Sequence, residues 1–187
     1  MTALQDLEVW GHIKGRGRYF MGFVQKRPKS TSLVLGLLLA LTQPPVNFTW
    51  VLWLTFPVFF LLQQGLTFKN KLLCAGFFGL GYFVAGLYWI AVAFHVDFAK
   101  FWWLTPFTVL GLPALLSFLY VTGAQFAYEG VRRFFKLKES YVLFALMWSL
   151  FEGLRGYLFT GFPWNLIGYT WVWSQEMLQF NAVLGIY

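Results

Sequence analysis

An all-α, polytopic transmembrane helix bundle of about five complete membrane helices plus the start of a sixth is the fold class this sequence predicts, and three observations predict it. Of the 187 residues, 59% are hydrophobic and only 11% charged, against roughly 45–50% and 25% in soluble domains. Apolar runs recur along the chain from Leu33 onward. The basic residues fall in short segments between those runs. A formal charge of +7 would point to nucleic acid in a soluble chain, but this patterning suits an anionic membrane leaflet. No nucleic-acid partner is expected.

Residues 1–29 form a basic tail with Lys14, Arg16, Arg18, Lys26, Arg27 and Lys29, the shape that opens a signal peptide. The apolar run Leu33–Leu41 then enters Gln43, Pro44 and Pro45 rather than a small-residue cleavage site, so it reads as an uncleaved first helix, about Ser30–Thr42. A bilayer crossing needs about 20 residues. Either this helix extends back through Pro28, or it forms half of a re-entrant hairpin with the next run. With it begins a single transmembrane domain, residues 30–187.

The second run is Phe48–Leu62, with a kink expected at Pro57, followed by a polar loop bearing Lys69 and Lys71. Leu72–Phe94 is the third and clearest span. Ala75, Gly79, Tyr82, Gly86 and Trp89 recur there at spacings of four, three, four and three, which stacks small residues on one face and lets another helix approach closely. His95, Asp97 and Lys100 form a short solvated link. Tyr88, Trp89, Phe101, Trp102 and Trp103 around it have the composition of an interfacial aromatic belt. Pro106–Tyr128 is the fourth span, kinked at Pro113, and Glu129–Glu139 is a basic link with Arg132, Arg133, Lys136 and Lys138. The fifth span starts at Tyr141. Glu176–Tyr187 begins a sixth apolar segment that stops short of a bilayer crossing, so the C-terminus reads as a truncation.

Cys74 is the only cysteine; no internal disulfide is possible, and a buried, inert thiol is expected. No metal or cofactor is called for. If the first two runs both cross, or pair as a hairpin, the tail, the Lys69/Lys71 loop and the Arg132–Lys138 link share one side. They hold six, two and four basic residues, twelve of the fourteen in the chain. That side is cytoplasmic by the positive-inside rule, which leaves the N-terminus cytoplasmic and the end of the fifth span facing outward.

At that outer end stands FEGLRGYLFTGFPWNLIGY, Phe151–Tyr169. Glu152 and Arg155 are three apart and share a helix face with Trp148. Two charges this near hydrocarbon are costly unless paired or turned inward, which makes them functional candidates. Gly161 permits unusual backbone angles and Pro163 lacks an amide donor, so the chain must turn there. Two readings of the turn stand side by side. In one, Trp164 and the charge pair hold an acyl chain or a phosphate head group; in the other, the turn is a helix stop with an interfacial Trp and a pair that locks two helices.

The segment LRGYLFTGFPWNLIGY resembles the signature of the apolipoprotein N-acyltransferase family, and LALTQPPVNFTW (Leu39–Trp50) and FGLGYFVAGLYWI (Phe78–Ile90) support the resemblance. It covers roughly Leu33–Tyr187. It implies a bacterial inner-membrane enzyme with eight membrane helices and a nitrilase-like domain outside the cytoplasmic membrane, inserted before the last helix. A Glu-Lys-Cys triad in that domain would take an acyl chain from a membrane phospholipid as a thioester and pass it to the diacylglyceryl-cysteine N-terminus of an apolipoprotein. None of the triad maps onto this chain, and Cys74 lies on the wrong side to be its nucleophile. The site residues that the resemblance carries over are Arg155, Gly161, Phe162, Pro163 and Trp164, with Glu152 the preceding acid, in a turn beneath the catalytic domain where lipid substrates enter. Two other classes remain open on the residues alone. A small transporter or channel would also use kinked helices and a buried charge pair, though no internal repeat is present; a non-catalytic scaffold would pair with a separate hydrolase-like chain.

Overall fold

The computed structural model describes residue 22 and residues 25–93 and 98–186. Lys14, Arg16 and Arg18 of the tail, and His95 and Asp97 of the expected link, lie outside those residues. Every regular element among the described residues is helical. Helix α1 spans Pro28–Ala40, with proline in its first turn where a missing amide costs nothing. Helix α2 spans Trp50–Leu62 and continues through Pro57. Helix α3, Phe68–Leu87, opens on Thr67, whose side chain caps the Asn70 amide; a short helix, Trp89–Ala93, prolongs it. Helix α4 runs over Trp102–Phe134, α5 over Tyr141–Tyr157, and α6 over Gln175–Leu184.

Two of these are long and apolar enough to cross a membrane, Phe68–Ala93 with 26 residues and Trp102–Phe134 with 33. The expectation of about five complete spans is therefore met only in part. Helices α1 and α2 have 13 residues each, about 20 Å of axial length against a hydrocarbon core of about 30 Å. They are joined by the short loop 41–49, in the manner of the re-entrant alternative. Helix α5 has 17 residues. Within α4 the backbone widens into π-helical turns at Phe107–Gly111 and Ser117–Thr122. Pro113 sits between them, where the wider turns absorb its ring and missing amide.

The first and third helices run parallel and touch through backbone. A Cβ on Gly36 would overlap the Phe78 carbonyl, and one on Gly81 would overlap the Leu33 carbonyl. The small-residue face read from the sequence packs differently: Gly79 lies against Ser117 and Val121 of α4, and Gly86 against the Asn165 side chain. Between the helices sits an aromatic core. Phe59 stacks on Phe78 with ring centroids 4.1 Å apart, and Phe56 meets Trp148 edge-on at 4.9 Å.

Polar features divide between the two ends of this core. At one end lie the start of α1, the 63–67 turn and the α4–α5 junction; at the other lie the 41–49 loop and residues 158–174. The first end corrects two readings of the sequence. Lys71 belongs to the first turn of α3 and not to a loop, and Glu129 belongs to α4 and not to the basic link; both are buried. Lys71 Nζ reaches Glu129 Oε1 at 2.8 Å and Glu139 Oε1 at 2.9 Å, while Arg132 Nη2 donates to Glu129 Oε2 at 2.9 Å. Charges that sequence reading assigns to solvent can be buried when a neighbouring helix supplies the opposite sign at the same depth.

The α1–α3 contact is testable. Gly36→Leu pushes a side chain into the α3 backbone, which cannot swing aside as a side chain would, and should cost about 1–3 kcal/mol or more. Gly130→Ala, at a helix position with nothing within 4 Å of the added carbon, should leave stability unchanged or slightly raised. Thermal melting of the purified chain in detergent separates the two; equal melting temperatures would refute the close crossing.

Candidate functional site

Helix α5 stops at Tyr157 because the backbone beyond it cannot stay helical. Phe159 adopts a left-handed conformation (φ 53°, ψ 44°) and Gly161 has φ 83°; a Cβ on Gly161 would overlap the Gly156 carbonyl. The chain reverses here, and the Phe162 amide donates back to the Arg155 carbonyl at 2.8 Å. Pro163 and Trp164 are exposed, Phe162 is half-buried, and Asn165 and Leu166 turn inward. Asn165 also has a positive φ of 55°, a conformation that asparagine tolerates better than most residues.

Glu152 and Arg155 are buried, with Arg155 only 1% exposed. Arg155 Nη2 lies 3.6 Å from Glu152 Oε1, so the pair expected from their spacing is present. Each also binds the turn. Arg155 Nη2 donates to the Asn165 carbonyl at 3.1 Å. The Ile167 amide donates to Glu152 Oε1 at 3.1 Å. The guanidinium further rests 5.0 Å from the Phe83 ring centroid, a cation–π contact from α3.

Other segments complete the seat. Tyr82, wholly buried in α3, donates its hydroxyl to the Asn165 carbonyl at 2.8 Å. Gln43, from the Gln-Pro-Pro break, donates to the Tyr82 oxygen at 2.8 Å and to the Leu166 carbonyl at 3.2 Å. Thr49 donates to the Thr170 carbonyl at 2.8 Å and accepts from the Trp173 indole at 2.7 Å. Sequence reading singled out the three segments separately. It missed Gln43, Tyr82 and Asn165 as partners, because no spacing along the chain links positions 39, 83 or 123 residues apart.

Outside the seat, Trp164 is 52% exposed and meets Trp89 edge-on at 5.2 Å. Of the six residues singled out from the sequence, Glu152 and Arg155 therefore lie beneath the turn, Gly161 makes it, Phe162 packs half-buried against the core, and Pro163 and Trp164 form the outer rim.

This division sets an experiment. Glu152→Ala leaves the Arg155 guanidinium buried without its counter-charge and the Ile167 amide without its acceptor, and should destabilise the chain by about 3–5 kcal/mol. Glu152→Ala combined with Arg155→Met should cost less than the sum of the single changes. Chemical denaturation in mixed micelles measures the cycle, and strict additivity would show that the two side chains act independently.

Comparison with known proteins places the chain in a family. Residues 35–187 match the family described as apolipoprotein N-acyltransferase N-terminal domain. Among similar proteins, the apolipoprotein N-acyltransferase of Rickettsia bellii is 35% identical over 163 residues, 86% of this chain and 32% of that protein. That of Brucella melitensis is 38% identical over 165 residues, 81% of this chain and 30% of that protein. That of Sinorhizobium fredii is 34% identical over 188 residues, 93% of this chain and 32% of that protein. The chain thus spans about a third of the length of the relatives it matches. With residues 35–187 inside the family's N-terminal domain, the chain belongs to the apolipoprotein N-acyltransferase family.

Proposed function

We propose that this chain is the membrane portion of an enzyme that transfers an acyl chain from a phospholipid to the N-terminal diacylglyceryl-cysteine of a lipoprotein. In this reading it lies in the bacterial inner membrane with its basic end toward the cytoplasm. The 161–171 turn then faces the opposite side, beneath a nitrilase-like domain that supplies the Glu-Lys-Cys triad. The observation that carries the site is that Glu152 and one nitrogen of Arg155 bind the turn's backbone from within, while Trp164 is left exposed. Glu152 and Arg155 therefore act as positioning residues. Phe162, Pro163 and Trp164 are the direct contacts, an apolar and aromatic edge against which an acyl chain can lie. The names of the relatives favour this enzyme over a channel or a scaffold.

Expressed alone, the chain should add no acyl group to a lipoprotein substrate in phospholipid vesicles, as read by mass spectrometry. Transfer that survived Cys74→Ser would contradict the assignment of the chemistry to another domain. In the full-length protein, Trp164→Ala should lower acyl transfer by about 1–3 kcal/mol in transition-state terms, the range of an aromatic anchor, with little change in melting temperature. Trp164→Phe should keep most of the activity. Unchanged turnover with a lowered melting temperature would instead assign Trp164 to structure.

A further inference from the structure

An apolar concavity lies on the outer surface of the bundle, at the end away from the 161–171 turn. It is a groove of about 520 Å³ between α3 and α4, within the range of about 300–1,000 Å³ typical of ligand sites. Lys69 stands at its mouth, Leu72, Gly76 and Leu80 line the α3 side, and Phe118 and Thr122 line the α4 side. The groove owes its depth to Gly76, since a Cβ there would come within 3.3 Å of the Thr122 hydroxyl. From Lys69 to Leu80 the helix rises about 16 Å, half of a hydrocarbon core of about 30 Å. Its apolar length therefore matches one leaflet, with the lysine at head-group depth.

The charge at the mouth is unbalanced. Glu129 is already held by Lys71, Arg132 and Arg133, and Glu139 by Lys71. Among the described residues, Lys69 has no acidic partner within 4 Å. Phe68, also at the mouth, carries the Arg133 guanidinium 4.5 Å above its ring, which sets a second cation beside Lys69. Basic pockets between membrane helices suit acidic lipid head groups.

We propose that this groove is a binding site for an anionic phospholipid, with one acyl chain lying along Leu72–Leu80 and the phosphate between Lys69 and Arg133. The bound chain covers apolar surface that the helices leave open, and the phosphate neutralises the excess charge at that end. A lipid in this position fastens α3 to α4 on the side opposite the turn.

The test places a photoactivatable benzoylphenylalanine at Phe118, which is 69% exposed and lines the groove, in the full-length protein in nanodiscs of mixed phosphatidylglycerol and phosphatidylcholine. Mass spectrometry should find one phospholipid attached, enriched in phosphatidylglycerol relative to the same probe at Val142, a 70% exposed site on α5 outside the groove. Lys69→Glu, in protein that melts like the wild type, should reduce that enrichment about fivefold or more. Equal phosphatidylglycerol content at the two probe positions would overturn the proposal in favour of ordinary annular lipid, a comparison that requires no charge variant. Cross-linking at Phe118 to another segment of the same protein, without gain of lipid mass, would overturn it in favour of a helix seated in the groove. Enrichment unaffected by Lys69→Glu would remove the head-group assignment and the proposal with it.

Discussion

The turn at 161–171 depends on one physical constraint: irregular backbone at membrane depth must find its hydrogen bonds inside the protein. Each polar group left unsatisfied in hydrocarbon costs several kcal/mol. The chain answers with the buried Glu152–Arg155 pair. Glu152 accepts the Ile167 amide and Arg155 donates to the Asn165 carbonyl, so each ion solvates the backbone as well as its partner. A buried pair that only cancelled its own charge would give little net stability, since desolvation offsets attraction. Here the two ions also make a non-helical segment tolerable next to lipid.

The remaining contacts depend on that seat. Tyr82 reaches the same Asn165 carbonyl from α3, and Gln43 links it to the α1–α2 loop. The turn is thereby tied to the first hairpin and the third helix together. The close parallel approach of α1 and α3 through Gly36 and Gly81 holds those two anchors at a fixed separation. The same helices carry a second ionic group, Lys71 with Glu129 and Glu139, to the far end. Each end is closed by buried charge, and between them the packing is aromatic.

For acyl transfer, such a seat separates positioning from contact. Glu152 and Arg155 are buried away from a passing head group, whereas Trp164 stands at an aromatic edge with Trp89. In the proposed reading, the membrane domain holds an apolar rim still while chemistry occurs in another domain. A rim that moved by an ångström would lose much of the advantage of orientation.

Much of this was legible along the chain. Composition and the spacing of apolar runs determined a helical membrane bundle, because hydrocarbon admits few alternatives for a segment rich in Phe, Leu and Val. Gly161 and Pro163 determined where the fifth helix turns, and the three-residue spacing of Glu152 and Arg155 determined their pairing, since both are local effects of backbone geometry. The family was legible in the same residues. Only the tertiary structure decided that the short first helix pairs with the second across the 41–49 loop, that Lys71 and Glu129 are buried against each other, and that Gln43, Tyr82 and Asn165 converge. Those are facts about which distant segments share a depth in the bundle, and depth is set by packing at Gly36, Gly81 and Gly86, not by any period in the sequence.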